Sequence, residues 1–198
     1  MTPVQLIISD KSGKLRHDAI DALEAGCKWL QVQFATTNPE KDIKTIAEIK
    51  ALCCKKEALL VIEDNMELAK KVKADGLYIS NGSSETAKKA RKFLGESYII
   101  GLAAKDVESI AAAKQAGADY VCAGPFGIGD GNLSVKDLCF IIHEMQKKSL
   151  RLPIVAFGDI TISDILPIMQ SGINGIALNA AKCNSENIGE TIKRFSAI

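Results

Sequence analysis

The chain has 198 residues, 47% of them apolar and 25% charged, with a formal net charge of +1. That balance is ordinary for one globular domain, and it excludes the electrostatic attraction that draws basic proteins to nucleic acid or to anionic membranes. No apolar run reaches the roughly 18 residues a membrane span needs, and the first strand pattern starts at Val4, so no signal peptide is expected and the expected location is cytoplasmic.

Six cysteines form no CxxC pair, and only His17 and His143 could join them in a metal site. Adjacent Cys53 and Cys54 could act as a redox pair, but their apolar neighbours favour the role of small fillers in a reducing compartment.

In chain order, residues 4–8 read as a strand ended by Ser9 and Asp10. Residues 14–25 carry Leu15, Ala19, Ala22 and Leu23 at helical spacing. A strand at 29–34 precedes a helix that opens at Pro39, a favoured first helical residue, and runs to about 53. Residues 59–62 form a strand, Glu63, Asp64 and Asn65 its exit, and 66–72 a short helix. Residues 77–79 form a strand whose exit loop ends at Ser84, an N-cap for a helix to 94. A strand at 98–101 leads through Lys105 into a helix at 106–116, and a strand at 120–123 opens a glycine-rich loop at Gly124. Ser134 caps a helix to 148, residues 153–157 form a strand and a helix begins at Thr161. A strand at 175–178 and a helix at 185–195 complete the chain.

The same punctuation recurs at 25–32 (AGCKWLQV), 74–80 (ADGLYIS), 117–121 (GADYV) and 171–178 (SGINGIAL). Each is a helix end followed at once by a short apolar strand, the lower junction of a βα unit. Eight such units with continuously apolar strands predict an α/β fold, a single (β/α)8 TIM barrel over residues 1–198. A flavodoxin-like open sheet is the alternative and would leave three units over.

In a barrel of this kind the chemistry sits on the loops after the strand C-termini. Alternation sends Gln31 and Gln33 to one side, the interior, where a buried amide needs a polar partner. Glu63 and Asp64 are hard carboxylates suited to Mg²⁺, which binds through one or two carboxylates plus ligand phosphates. They would equally suit a helix start. Lys105 is a candidate phosphate cation or a solvated residue at a helix start. Gly124, Gly127, Gly129 and Gly131 could cradle phosphate through backbone N–H groups. Gly158, Asn179 and Ala180 lie on the seventh and eighth loops, the common barrel phosphate site, although Asp159 sets a like charge beside it.

At these positions the chain resembles the thiamine phosphate synthase/TenI family. Residues 30–32 (LQV) resemble that family's I-Q-L-R-x-K strand, and 60–69 (LVIEDNMELA) its L-I-I-N-D-R-x-D-L-A. Residues 74–79 (ADGLYI) resemble A-D-G-V-H-L, and 100–105 (IGLAAK) resemble I-G-x-S-x-H. The stretch GADYV at 117–121 with Gly124 and Pro125 matches G-A-D-Y followed by G-P, and 152–160 (LPIVAFGDI) resembles I-P-V-V-A-I-G-G-I.

The resemblance implies an enzyme that joins hydroxymethylpyrimidine pyrophosphate to thiazole phosphate, releasing pyrophosphate with Mg²⁺. Carried across, it implies that Gln31 contacts the pyrimidine, Asp64 binds Mg²⁺ and Gly158 belongs to the thiazole-phosphate loop. Backbone N–H groups near Asn179 and Ala180 would hold that phosphate.

The chain departs from the pattern at the charged positions. The family's strand arginine and lysine are Gln33 and Ala35, and the asparagine before the metal aspartate is Glu63. The second metal aspartate falls at or near Ser83, the motif serine is Ala103, and the T-x-T-K stretch is replaced by residues 129–132 (GDGN). The second loop glycine is Asp159, and the catalytic histidine of the TenI type falls at Pro125. Lys105 is the obvious replacement cation.

Three functions follow. One is a thiamine phosphate synthase in which Gln31 and Lys105 serve the reaction and Glu63 and Asp64 the metal. Another is a non-catalytic or repurposed member that binds another small phosphorylated ligand or serves as a partner protein. An isomerase or lyase acting on a phosphosugar-like substrate is a third. The sequence leaves self-association open.

Overall fold

The computed structural model describes residues 3–34, 39–182 and 188–196. The strands are β1 Val4–Ser9, β2 Trp29–Gln33, β3 Leu59–Glu63, β4 Gly76–Ile79, β5 Ile99–Ala104, β6 Tyr120–Phe126, β7 Ile154–Gly158 and β8 Gly175–Asn179. The helices that follow them are α1 Leu15–Glu24, α2 Pro39–Lys55, α3 Met66–Lys71, α4 Ser84–Leu94, α5 Val107–Gln115, α6 Val135–Lys147, α7 Ile162–Gln170 and α8 Ile188–Ser196. The strands pair in sequence order, all parallel, and β8 pairs with β1 to close the barrel. The expected (β/α)8 barrel is the observed fold. No helix among the described residues is long and apolar enough to cross a membrane.

Strand alternation divides the core in two. Leu6, Ile8, Leu30, Val32, Leu60, Ile62, Ile100, Leu102, Ile176 and Leu178 point outward and pack under the helices. Ile7, Val61, Tyr78, Tyr120, Cys122, Val155 and Ala177 point inward and fill the barrel. Period two explains both sets, because each strand is buried on both faces. Gly101 is one of the inward residues of β5, and the Tyr120 ring lies 2.1 Å from where its Cβ would stand, so the ring fills the space the glycine leaves.

The lower face explains three of the recurrent motifs. The backbone N–H and side chain of Asp75 bridge to Leu60 of β3, those of Asp119 to Ile100 of β5, and those of Asn174 to Ile154 of β7. One polar residue ahead of β4, β6 and β8 thus stitches each to the strand before. Lys50 reaches Asp75 at 2.6 Å, and Arg91 reaches Asp119 at 2.6 Å as well as the carbonyls of Gly95, Tyr98 and Gly117. These contacts lie at the N-terminal end of the barrel, where they serve stability.

Several boundaries shift from expectation. Ser83, not Ser84, caps α4, with its hydroxyl accepting from Thr86 N–H at 3.1 Å. β5 continues to Ala104, and β6 runs through Gly124 and Pro125 to Phe126, which pairs with Gly158 after a bulge. Residues 185–187, expected to begin the last helix, fall outside the described residues.

Candidate functional site

The C-terminal mouth holds a pocket of about 370 Å³. Its walls are apolar around Ile7, Tyr78, Ala103, Cys122, Pro125 and Phe157, and polar at Gln31, Gln33, Glu63, Ser80 and Asn179, with Gly124 on the rim. Continued alternation brings these groups together. Ser80 follows Tyr78 by two residues, Glu63 follows Val61 and Asn179 follows Ala177, so each prolongs the inward row of its strand.

A single hydrogen-bonded chain organises the polar floor. Gln5 donates from Nε2 to Gln31 Oε1 at 2.7 Å and also lies 3.2 Å from the Tyr120 hydroxyl. Gln31 donates from Nε2 to Glu63 Oε2 at 2.7 Å, and Gln33 donates to Glu63 Oε1 at 2.9 Å. Gln5 and Gln31 are fully buried, so their amides depend on these partners. Every amide is turned the same way, and Glu63 is the terminal acceptor. Burial raises the Glu63 carboxyl above its ordinary range, the two amides pull it part of the way back, and the charge of Asp64 adds to the rise.

Gln5 was missed from the sequence, although its place between outward Val4 and Leu6 put a polar side chain inside the barrel. Cys122 lies on the pocket wall, but burial pushes its thiol up to about 12. It is a thiol at neutral pH and not a ready nucleophile.

Asp64 adopts a left-handed backbone with φ of 52°. Its N–H donates to Tyr78 O at 2.8 Å, and its carboxylate accepts from the N–H and hydroxyl of Ser80. Asp64 therefore ties the end of β3 to the end of β4, with its carboxylate exposed. For Mg²⁺ the two candidates differ. Both Glu63 oxygens receive an amide N–H and both Asp64 oxygens accept from Ser80, but the Asp64 carboxylate is the exposed one and could meet one coordination position of a metal arriving on phosphate oxygens. No cluster of three or more His, Cys, Asp or Glu side chains is placed to hold a metal among the described residues.

Lys105 is not brought to this pocket. β5 ends at Ala104, and the Lys105 and Asp106 N–H groups turn to the Ser109 hydroxyl in the box that caps α5. Lys105 instead borders a groove beside α6, with Phe140, Glu144 and Lys148. Gly158 stands at the closest approach of two strands. The Cβ of any other residue there would lie 2.2 Å from Phe126 O. The Asp159 N–H donates to Phe126 O at 2.8 Å, so that loop amide already has a partner. Asn179 accepts from Ala181 N–H at 3.0 Å, and buried Ala180 opens the short 3-10 turn Ala180–Lys182. In the glycine loop, Leu133 N–H donates to Pro125 O at 2.7 Å and Gly127 N–H to Leu133 O at 3.2 Å, which closes its base.

The family profile described as thiamine monophosphate synthase matches residues 4–181. The chain belongs to that family. The thiamine-phosphate synthase of Bacteroides fragilis is 37% identical over 180 residues, covering 88% of each chain. That of Methanosarcina barkeri is 31% identical, covering 85% of this chain and 77% of its own. In three dimensions, thiamine phosphate pyrophosphorylase from Pyrococcus furiosus superposes with a TM-score of 0.84 at 23% identity, over 98% of this chain and 94% of that one. The described residues lining the pocket include one carboxylate, that of Glu63, and no lysine, arginine or histidine.

Proposed function

We propose that this thiamine monophosphate synthase family barrel binds a small planar nitrogen heterocycle of the pyrimidine kind at its mouth, and that its pocket is not built to expel pyrophosphate. The observation that carries this reading is the lining itself, an apolar slot with amide and carboxylate groups on its floor and no cation among the described residues. A ring can sit between Tyr78, Pro125 and Phe157 while its nitrogens meet Gln33 and Glu63. Departure of pyrophosphate places growing negative charge in the site, and catalysis of that step requires cations or dipoles aimed at it. Glu63 sets the opposite charge there.

A second reading retains the family reaction, and the exposed Asp64 carboxylate favours it. Asp64 would hold Mg²⁺ together with ligand phosphate oxygens, and the metal would offset charge on the departing group. The chain's own part would be to seat the pyrimidine through Gln31 and Gln33.

Titration calorimetry separates what the pocket accepts. The alcohol 4-amino-5-hydroxymethyl-2-methylpyrimidine is expected to bind saturably, and inorganic pyrophosphate with Mg²⁺ is expected to bind at least about tenfold more weakly, a difference of about 1.4 kcal/mol. Tight Mg²⁺-dependent pyrophosphate binding that Asp64→Ala abolishes would instead establish the second reading.

A further inference from the structure

We infer that Glu63 makes the barrel mouth selective for rings bearing a cationic, N–H-rich group of the amidine or aminopyridinium class, and that it rejects anionic rings of the same shape. The inference rests on the pocket-binding reading above and names its ligand chemistry.

Glu63 is the last residue of β3, and its side chain follows the inward row into the barrel. Two amides fix the carboxylate in place, Gln31 on one oxygen and Gln33 on the other. Gln31 cannot readily reverse to present its oxygen, because that oxygen accepts from Gln5 at 2.7 Å. The amide row is thus oriented by the buried end of the network, and the negative charge is left at the pocket wall.

A carboxylate has about four lone-pair directions, and the amides use one on each oxygen. An amidinium offers paired N–H donors that match the remaining directions with charge-assisted bonds. The neighbouring wall of Ile7, Tyr78, Cys122 and Phe157 excludes water and strengthens such a pair. The loops after β1, β3, β5, β6 and β7 carry Asp10, Asp64, Asp106, Asp130 and Asp159, against Lys11, Lys14, Lys105 and Lys182 on the loops after β1, β5 and β8. The nearest charge to the slot is that of Glu63.

Benzamidine, benzamide and benzoate provide one shape in three charge states. Protein-observed NMR titration of the intact chain is expected to give affinities in that order, with benzamidine at least about tenfold tighter than benzoate. Glu63→Gln is expected to bring the three within about threefold of one another, and Glu63→Asp, which keeps the charge, to retain the order. Equal affinities in the unaltered protein, or a preference for benzoate, would overturn the charge selection and leave the ring slot standing. A preference that persists in a folded Glu63→Gln protein would overturn the assignment to Glu63. Failure of all three rings to bind would overturn both the inference and the pocket reading beneath it. The unaltered protein decides the selectivity even if a variant does not fold.

Discussion

Gly158→Ala is expected to lower the melting temperature by roughly 6–15 °C, the shift that about 2–5 kcal/mol produces in a domain of this size. The residue has φ of 150°, and an added Cβ would meet Phe126 O and N at 2.2 and 2.3 Å. Both obstacles are backbone atoms held by the β6–β7 pairing, so neither can rotate away as a side chain would. Strained dihedrals and overpacking each cost about 1–3 kcal/mol. A shift below about 2 °C in a thermal melt would show that the two strands do not approach this closely. The consequence for function is direct. A glycine in this loop could be read as part of a phosphate cradle, but the contact with β6 requires it whether or not phosphate ever binds.

The second large effect concerns charge. Gln33→Arg combined with Glu63→Asn, which removes a carboxylate from the pocket and adds a cation, is expected to tighten pyrophosphate binding on the order of 100-fold. At an effective dielectric of about 20, unit charges 4 Å apart interact by about 4 kcal/mol. The double change removes a repulsive charge and adds an attractive one. Glu63 is only partly buried, so solvent screening takes a large share of that sum. About 2.7 kcal/mol then remains, which corresponds to 100-fold. Calorimetric titration with magnesium pyrophosphate checks it. An unchanged affinity would mean that the floor charge does not govern what the pocket admits.

How much of this was legible in the sequence depended on which physical signal each residue carries. The barrel was readable because helix ends followed at once by short apolar strands leave little freedom for any other layout. Gln31 and Gln33 could be placed inside by counting in twos, whereas Glu63 was legible only as a rim carboxylate. Gln5 obeys the same rule but is hidden in a strand whose other residues read as uniformly apolar. Lys105 failed for a different reason. Its direction is set by the Ser109 capping contacts that draw the chain outward at the end of β5, and spacing alone does not reveal which way such a turn leaves the strand. Asp64 shows a third limit. Its carboxylate could be recognised as a hard ligand, while its bond to Ser80, which ties two strand ends together, depends on a left-handed backbone that is visible only in the folded chain.

The lower face also bears on interpretation. ADG at 74–76 and GAD at 117–119 helped to reveal the family, yet they act through Asp75 and Asp119 at the end of the barrel away from the pocket. Family membership and the family's reaction are therefore supported by different residues. The stitching residues lie at the N-terminal face, while the described lining of the pocket at the mouth has the Glu63 carboxylate and no lysine, arginine or histidine.

That separation is tested most directly by turnover. The intact protein, at high concentration with hydroxymethylpyrimidine pyrophosphate, thiazole phosphate and Mg²⁺, is followed by chromatography for thiamine phosphate. No product above a control without protein is expected. Sustained formation of thiamine phosphate that depends on Asp64 would show that the mouth retains the family's reaction.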